Sequence, residues 1–347
     1  MIPTYMGLQT ALSGLEAAQA AINTTGQNIA NANTPGYSRQ QVTLTERGAL
    51  TIPSVSAYNG HGIQLGTGAD ITNITRLRNQ FLDAQYRAQN TATSGNSTLS
   101  TLLGQVQSAL NEPSSTGLSS SLQQFWQSWS ALANNPGSQG AQQAVMSAGG
   151  TVAQGLNVLS GQMSQLESQV SGQYAGLTST SSGPVASDAN AIALLNNQIA
   201  QATSAGLTPN NLLDQRDQLI DDLSQYGPVN VTTQADGMVS VSFGNAATAG
   251  TPDATPLVAG NSVNLAPNLA DANLIGSGGT LGALLSVYDA NTGTGRIPSY
   301  TSTLDGIAKQ LVTTVNGAIS GADASGPSAK PFFTGTTAAT ALASAAV

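Results

Sequence analysis

The first thirty residues carry a narrow apolar stripe whose members are spaced alternately four and three residues apart. It runs through Leu8, Leu12, Leu15, Gln19, Ile22, Gly26 and Ile29. This is the spacing of a coiled-coil seam, so it predicts an amphipathic helix. Glycines within the helix each cost about 1 kcal/mol of helix propensity relative to Ala. Because three lie in this stretch, the isolated helix is marginal, and we expect it to fold on docking to a partner.

The helical pattern breaks at the turn 31–37, where Pro35 and Gly36 disfavour a helix. Residues 40–75 alternate weakly between apolar and polar, which predicts extended or short β segments. Helical spacing resumes at Leu77 and predicts a helix over about 76–110. Two further helices are predicted around 118–132 and 152–177. Another is predicted to begin at a cap formed by Ser187 or Asp188, and a further one at the cap and first-turn proline of Thr208–Pro209.

A period of two from Val229 to Phe243, broken at Asp236–Gly237, predicts a β-hairpin. The expected fold is therefore mainly α: an elongated antiparallel helical bundle with a coiled-coil-like N-terminal helix and a small inserted β-hairpin region, α+β overall. The predicted divisions are an assembly and export helix (1–36), an extended linker (37–75), a helical bundle (76–227), a small β unit (228–276), helices returning to the bundle (277–325) and the start of an outer domain (326–347).

The chain is unusually poor in charge. Only 7% of its 347 residues are charged, against about 25% in an average domain. The net charge of −8 and the scattered Lys and Arg exclude the basic footprint of a nucleic-acid binder. Residues 1–87 carry a balance of +1 and the remainder −9, so the two parts are expected to face different environments. No apolar run is long enough for membrane insertion.

Candidate catalytic and metal-binding residues are few. With no Cys and a single His, His61, thiol chemistry and paired-imidazole sites are excluded, and His61 is interpreted as a loop residue. The acidic group Asp214, Asp217, Asp221 and Asp222 is either a divalent-cation site or a solvated helix face. The glycine-rich stretch 276–282 lacks the P-loop Lys and is interpreted as a flexible helix start. No catalytic residue, metal or cofactor is predicted.

Arg216 shares a helical stripe with three leucines, Leu212, Leu219 and Leu223. A guanidinium on an apolar face needs carboxylate or carbonyl partners. We therefore expect Arg216 to be a structural residue that organises the bundle.

Two N-terminal segments, 11–19 and 28–39, closely resemble the signature of bacterial flagellar axial proteins, which comprise rod, hook and hook-associated proteins. Three further segments, 74–87, 211–219 and 278–305, resemble the hook-associated type 1 family of hook-filament junction proteins. The resemblance extends over about residues 8–333. It implies a non-enzymatic structural subunit that polymerises through amphipathic terminal helices after type III export without a cleaved signal.

The resemblance also implies sites and partners. The expected partners are a ring of identical subunits, the hook protein, a second hook-associated junction protein, and an export chaperone with the type III apparatus. The expected location is the extracellular flagellum, at the hook-filament junction. Residues assigned to the assembly interface are Leu8, Leu12, Leu15, Ile22, Ile29, Asn28, Asn31, Asn33, Gly36 and Tyr37. Residues assigned a structural role are Arg76, Phe81, Leu82, Arg87, Leu212, Leu213, Asp214, Arg216 and Asp217.

Two alternatives stay open. Another axial protein, such as hook or distal rod, shares the N-terminal signature, although the segment 212–219 argues against it. An axial scaffold with hydrolase activity would need a paired-carboxylate cleft. Family members carry outer domains and a C-terminal helix that pairs with the N-terminal one. Here the chain stops in a Thr, Ala and Ser-rich segment, so we expect a C-terminally truncated chain.

Overall fold

Helices make up most of the molecule. The computed structural model describes residues 5–52, 63–245, 255–288, 295–322, 331–335, 337 and 342–343. Within these ranges the helices are α1 (Tyr5–Ala30), α2 (Gln80–Leu110), α3 (Leu118–Asn134), α4 (Gln139–Thr178), α5 (Pro184–Ser204), α6 (Asn210–Leu223), α7 (Leu265–Asn268), α8 (Asp271–Leu274), α9 (Gly279–Tyr288) and α10 (Arg296–Ala322). The predicted mainly α fold class is confirmed.

The strands are short and pair antiparallel. They are β1 (Gln40–Glu46), β2 (Leu50–Ile52), β3 (Ile63–Leu65), β4 (Ala69–Arg76), β5 (Val229–Thr233), β6 (Val239–Phe243), β7 (Val258–Ala259), β8 (Ser262–Val263), β9 (Phe333–Thr334) and β10 (Leu342–Ala343). Strands β5 to β8 form one sheet in chain order, and β1 pairs with β4, β2 with β3 and β9 with β10. The β1–β4 register runs from Gln40 opposite Arg76 to Glu46 opposite Ala69.

Some helix boundaries differ from those predicted. Helix α2 begins at Gln80 rather than near 76, because strand β4 continues through Arg76. Helix α5 begins at Pro184, so Asp188 lies inside the helix and is not its cap. Proline is favoured in the first turn of a helix, since its fixed φ is already helical and its missing N–H would have had no partner there. Helix α4 begins earlier than its leucine stripe, where Ser138 Oγ accepts from Ala141 N at 3.2 Å.

The glycine-rich stretch before α9 is a close backbone crossing. Gly279 has φ +67°, and a Cβ there would lie 2.6 Å from the backbone of Tyr226. The next two amides continue the contact: Thr280 N donates to Gln225 O at 2.9 Å and Leu281 N donates to Tyr226 O at 3.0 Å. The glycine here is required for packing, so the expected flexible helix start is instead a fixed one.

The described residues fall into two compact units. Unit one is built from Met1–Gln89, Ser187–Ser224 and Val229–Asn268, and unit two from Asn90–Ala186, Gln225–Pro228 and Leu269–Val347. Each unit combines segments that are distant in the chain, whereas the predicted domain ranges follow chain order. Those ranges stay a prediction.

Unit one has a core shared by helices and sheet. In β6 the buried side chains alternate with more exposed ones, as expected for a sheet with one covered face. Its fully buried large side chains include Ile192, Ile199, Ile220, Leu223, Phe243 and Leu257.

Unit two contains an aromatic cluster beside its helical core. Phe125 on α3 packs against both Phe332 and Phe333, with ring centroids 5.9 and 5.8 Å away. The two consecutive phenylalanines form an edge-on pair at 4.7 Å. Asn316 on α10 fixes this segment, because its side chain donates to Phe333 O at 2.8 Å and accepts from Phe333 N at 3.0 Å. Trp129 packs on Phe332 at 5.9 Å.

Candidate assembly interface

Helix α1 has two unlike faces. Ser13, Ala17 and Thr24 are buried, and these small side chains allow α1 to lie close to the β1–β4 hairpin. Ser13 Oγ accepts a hydrogen bond from the backbone N–H of Ala69 on β4 at 3.3 Å. With 3.6 residues per turn, the predicted apolar stripe lies on the opposite side of the helix from these residues. The stripe therefore points away from the hairpin.

This stripe is exposed along its length. The exposed fractions are 68% for Leu8, 52% for Leu12, 64% for Leu15, 71% for Ile22 and 73% for Ile29. Scattered exposed leucines are normal, but a contiguous apolar row on a surface marks an interaction site. Because Glu16 is the one charged residue within Tyr5–Ala30, the row can be buried with little desolvation of charge.

The turn after α1 is held by a side-chain amide. Asn28 Nδ2 donates to Gln40 O at 2.9 Å, and Asn28 Oδ1 accepts from Gln40 N at 2.9 Å. The same oxygen accepts from the hydroxyl of Tyr37 at 2.8 Å. Burial, and to a lesser extent the charge of Asp214, raises the pKa of Tyr37, so its hydroxyl stays a donor. Asn28 thus joins the end of α1 to the start of β1.

Other predicted interface residues lie in the same turn. Asn31 Nδ2 donates to Gln27 O at 3.0 Å, and this carbonyl also accepts from the backbone N–H of Asn31. Asn33 is exposed. Gly36 has φ +79°, and a Cβ there would lie 2.6 Å from Oε1 of Gln218 on α6, so only glycine fits without a shift.

Asp214 on α6 bonds to two segments at once. Its Oδ2 accepts from the backbone N–H of Ser38 at 3.2 Å, and its Oδ1 accepts from Nη1 of Arg76 at 2.8 Å. Arg76 Nη1 also donates to Asp217 Oδ2 at 2.8 Å. The side chains of Arg76, Asp214 and Asp217 are only 13%, 10% and 15% exposed. Burial on this scale makes the ion pairs stronger than ordinary surface pairs.

The ion pairs continue onto the start of α2. Arg78 Nε donates to Asp83 Oδ2 at 2.8 Å, and Arg78 Nη2 donates to Asp221 Oδ2 at 3.2 Å. Arg87 Nε donates to Asp221 Oδ1 at 2.6 Å. Hydrogen bonds between ionised partners are stronger than those between neutral groups. The charged side chains of this region therefore join the end of β4, the start of α2 and helix α6 into one network.

This network corrects the interpretation of the acidic group on α6. Asp214, Asp217 and Asp221 do not form a solvated face, since arginines bind all three. Nor do they form a cation site: in the part of the chain that the structure describes, no group of three or more His, Asp or Glu side chains is placed to hold a metal. Spacing along one helix could not reveal this, because the arginines come from distant segments.

Other residues assigned a structural role lie partly at the surface. Phe81 and Leu82 at the start of α2 are 74% and 57% exposed. Leu212 and Leu213 on α6 are half-buried. Their assignments stay predictions.

Arg216 lies on the buried side of α6. Its Nη1 donates to the carbonyl of Gly237 at 2.8 Å and to Oδ1 of Asn196 on α5 at 3.1 Å. Among the described residues its Nε has no hydrogen-bond partner. Burial lowers the pKa of Arg216 to about 10, and the nearby charge of Asp217 opposes this shift. The arginine is held by neutral oxygens and connects α6 to the turn of the β5–β6 hairpin.

Asn196 is a buried hydrogen-bonding residue that is not among the predicted site residues. It is fully buried, donates to Val239 O at 2.9 Å and to Gly260 O at 2.6 Å, and accepts from Val239 N at 3.1 Å. A signal was present, because Asn196 interrupts the stripe of Ile192 and Ile199 at helical spacing. A polar residue at such a position predicts a buried hydrogen-bond hub.

His61, interpreted as a loop residue, lies outside the described residues. Across the helices that the structure describes, none is long and apolar enough to cross a bilayer.

Comparison with known proteins gives two family matches. Residues 103–333 match the model described as "Flagellar hook-associated protein FlgK helical domain". Residues 8–37 match the model described as "Flagella basal body rod protein". The second match covers α1 and the turn that follows it.

Individual relatives give the same result. Flagellar hook-associated protein 1 of Bacillus subtilis (strain 168) is 39% identical over 237 residues, which are 68% of this chain and 46% of that protein. Its namesake in Escherichia coli (strain K12) is 30% identical over 240 residues, 69% of this chain and 42% of that protein. The solved structure of the flagellar hook junction protein FlgK from Burkholderia pseudomallei aligns with a TM-score of 0.52 and 28% identity, over 67% of this chain and 43% of that one. The chain spans less than half the length of these relatives.

Proposed function

Because the chain belongs to the family of the flagellar hook-associated protein FlgK helical domain, we propose that it is a structural subunit of the bacterial flagellum that joins the hook to the filament. The family resemblance noted in the sequence is confirmed by the matches. The observation that carries the proposal is the exposed apolar stripe of α1. The proposed function contains no catalytic step.

The proposed mechanism is helix packing between subunits. Fully burying a leucine or isoleucine side chain contributes roughly 1.5–3 kcal/mol, so the five large side chains of the stripe offer roughly 5–10 kcal/mol after allowing for their partial burial in the free chain. Association costs of a similar size oppose this gain. One stripe alone therefore gives weak association, and a closed ring of identical subunits, in which each contact is repeated, is the stable form.

The partners follow from the proposed position. We expect contacts with the hook protein on one side and with a second hook-associated junction protein on the other. Delivery through the type III export apparatus with a chaperone requires an unfolded chain, which the absence of Cys and the weak helicity of α1 favour. The proposed location is the extracellular flagellum.

A hook or distal rod subunit is the second candidate, and the rod-protein match over residues 8–37 favours it. That segment is the signature shared by axial proteins. The hook-associated match covers residues 103–333, which is most of the chain, and therefore favours the junction subunit.

The test places charge in the stripe. Leu12→Asp with Ile22→Asp would bury two carboxylates in the proposed interface at a cost of several kcal/mol each. Cells that carry only this form of the full-length protein should be non-motile and should release unpolymerised flagellin. The readouts are swimming assays and flagellin in the medium.

A matched control is Leu207→Asp, because Leu207 is 64% exposed in unit one but lies outside α1. This variant should assemble as the wild type does. Normal filaments in the cells with the double substitution would contradict the proposed role of the stripe.

A further inference from the structure

We propose that Asp214 is a positioning residue that sets the direction of α1 within unit one, and thereby the direction in which the apolar stripe is presented. The positioning role itself is independent of the proposed function. Only the statement that assembly uses this direction rests on the proposed function. The geometry that carries it is one buried carboxylate bonded to both ends of the hairpin that supports α1.

The first step concerns how α1 is supported. The helix packs on the β1–β4 hairpin through small side chains, with Ser13 Oγ accepting from Ala69 N at 3.3 Å. At its C-terminal end, Asn28 bonds to both backbone groups of Gln40, the first residue of β1. Because α1 is tied to the hairpin both at Ser13, inside the helix, and at Asn28, near its C-terminal end, helix and hairpin turn as one body.

The second step concerns what holds the hairpin. Its chain enters at Ser38, just before β1, and leaves at Arg76, the last residue of β4. One oxygen of Asp214 binds Ser38 N at 3.2 Å, and the other binds Arg76 Nη1 at 2.8 Å. A carboxylate that binds both arms at the base of a hairpin prevents the hairpin from rotating relative to α6. A bond to one arm alone would leave the hairpin free to rotate about that bond.

The neighbouring hydrogen bonds from α6 bind only one arm of the hairpin. Asn210 Nδ2 donates to Ile74 O at 2.7 Å, on the β4 side. Asp217 binds Arg76, again on the β4 side. Without Asp214 these hydrogen bonds still attach β4 to α6, whereas the β1 side loses its hydrogen bond at Ser38 and keeps only the packing of Gly36 against Gln218.

The experiment measures the direction of α1 directly. The chain has no Cys, so nitroxide labels attach only where cysteines are introduced. We choose Gln9→Cys near the N-terminus of α1 and Gln198→Cys on α5, both exposed positions of unit one. Pulsed electron paramagnetic resonance on the purified chain gives the distribution of distances between the labels.

The expected result is one narrow distance in the parent chain and a broadened or displaced one in Asp214→Asn. Asp214→Glu should restore part of the narrow population. Asp70→Asn is the matched control, since it breaks the exposed ion pair with Arg47 in the same hairpin and should leave the distance unchanged. Arg76→Gln removes the same buried pair from the other side, together with the pair between Arg76 and Asp217, and it replaces Asp214→Asn if that variant does not fold.

The outcomes separate the two proposals. Wild-type distances in folded Asp214→Asn and Arg76→Gln would overturn the positioning role, whatever their melting temperatures. A broadened distance together with normal motility would overturn the link between direction and assembly. Leu12→Asp with Ile22→Asp should keep the narrow distance while losing assembly; normal assembly of that variant counts against the proposed function and not against the positioning role.

Discussion

Two neighbouring glycines of α4 should respond to the same substitution with opposite signs. A Cβ added at Gly149 would lie 2.6 and 2.7 Å from two ring carbons of Phe332 and 3.3 Å from the ring of Phe125. A Cβ at Gly150 would meet no atom within 4 Å. Both glycines lie inside the helix, so both substitutions by alanine gain the same intrinsic propensity, about 1 kcal/mol.

The contacts decide the net effect at Gly149. Carbon atoms in contact sit about 3.5–4.0 Å apart, so the ring of Phe332 must retreat by nearly 1 Å. The ring cannot move freely, because Phe125, Trp129 and Phe333 surround it and Asn316 holds the backbone of the next residue. Overpacking of this kind costs about 1–3 kcal/mol. After the propensity gain is subtracted, we expect Gly149→Ala to lower the free energy of unfolding by up to about 2 kcal/mol and Gly150→Ala to raise it by up to about 1 kcal/mol.

The assay uses the tryptophan in the same cluster. The chain has two Trp residues, and Trp126 is 48% exposed, so a Trp126→Phe background leaves the emission of Trp129 alone. Urea unfolding followed by this emission gives the two free energies. In folded Gly149→Ala the emission should shift to the red and become easier to quench with acrylamide. Equal stabilisation by both substitutions would show that Phe332 does not pack against Gly149.

Two further predictions concern unit one. Asn196→Ala removes four hydrogen bonds of a fully buried side chain, including the one from Arg216, and should lower the free energy of unfolding by about 3–5 kcal/mol. The matched control Asn197→Ala, whose side chain accepts one exposed hydrogen bond, should change it by about 0.5 kcal/mol or less; equal hydrogen exchange of the β6 amides in the two variants would contradict the hub. Burial, and then the charge of Asp222, raises the pKa of Asp188 to about 6 from 3.8, so the folded chain binds this proton more tightly and loses stability as the pH rises through that range. Asp188→Asn should therefore gain about 1 kcal/mol at about pH 8, after a reduction for partial exposure, and nothing at about pH 3, as measured by urea unfolding; the same gain at both pH values would argue against this cause.

Periodicity predicted the elements that bury one face. The four-three stripe predicted α1, and the period of two predicted the hairpin from β5 to β6, whose turn contains Gly237 at φ +82°. In both cases the signal is local, because each side chain's face follows from its position along one element. Helix boundaries differ from the prediction where two signals compete: α5 begins at Pro184, before the predicted cap at Ser187 or Asp188.

The partners of polar side chains could not be predicted in this way. Asp214 looked like part of a solvated or metal-binding acidic row, yet it bonds to Ser38 and Arg76, which precede it by more than 130 residues. Hydrogen bonds between distant segments leave no periodic trace in one sequence. For Arg216 the sequence predicted the kind of partner but not its identity. Its helical stripe predicted carboxylate or carbonyl partners, and the structure shows that they are Gly237 O and Asn196 Oδ1.

The few charged residues of unit one are unevenly placed between α1 and the base of the hairpin that supports it. If neighbouring subunits cover the exposed apolar row, as we propose, the row must be free of charge, because each unpaired charge buried there costs desolvation energy. Helix α1 obeys this with a single charged residue, Glu16. A long helix that carries an interface also needs a firm base, and a two-stranded hairpin is only marginally stable by itself. The arginine and aspartate network at the foot of the hairpin supplies direction at that base, where both signs are present and pair with one another. In the proposed assembly, charge is therefore absent from the apolar row of α1 and concentrated at the base of the hairpin that supports this helix.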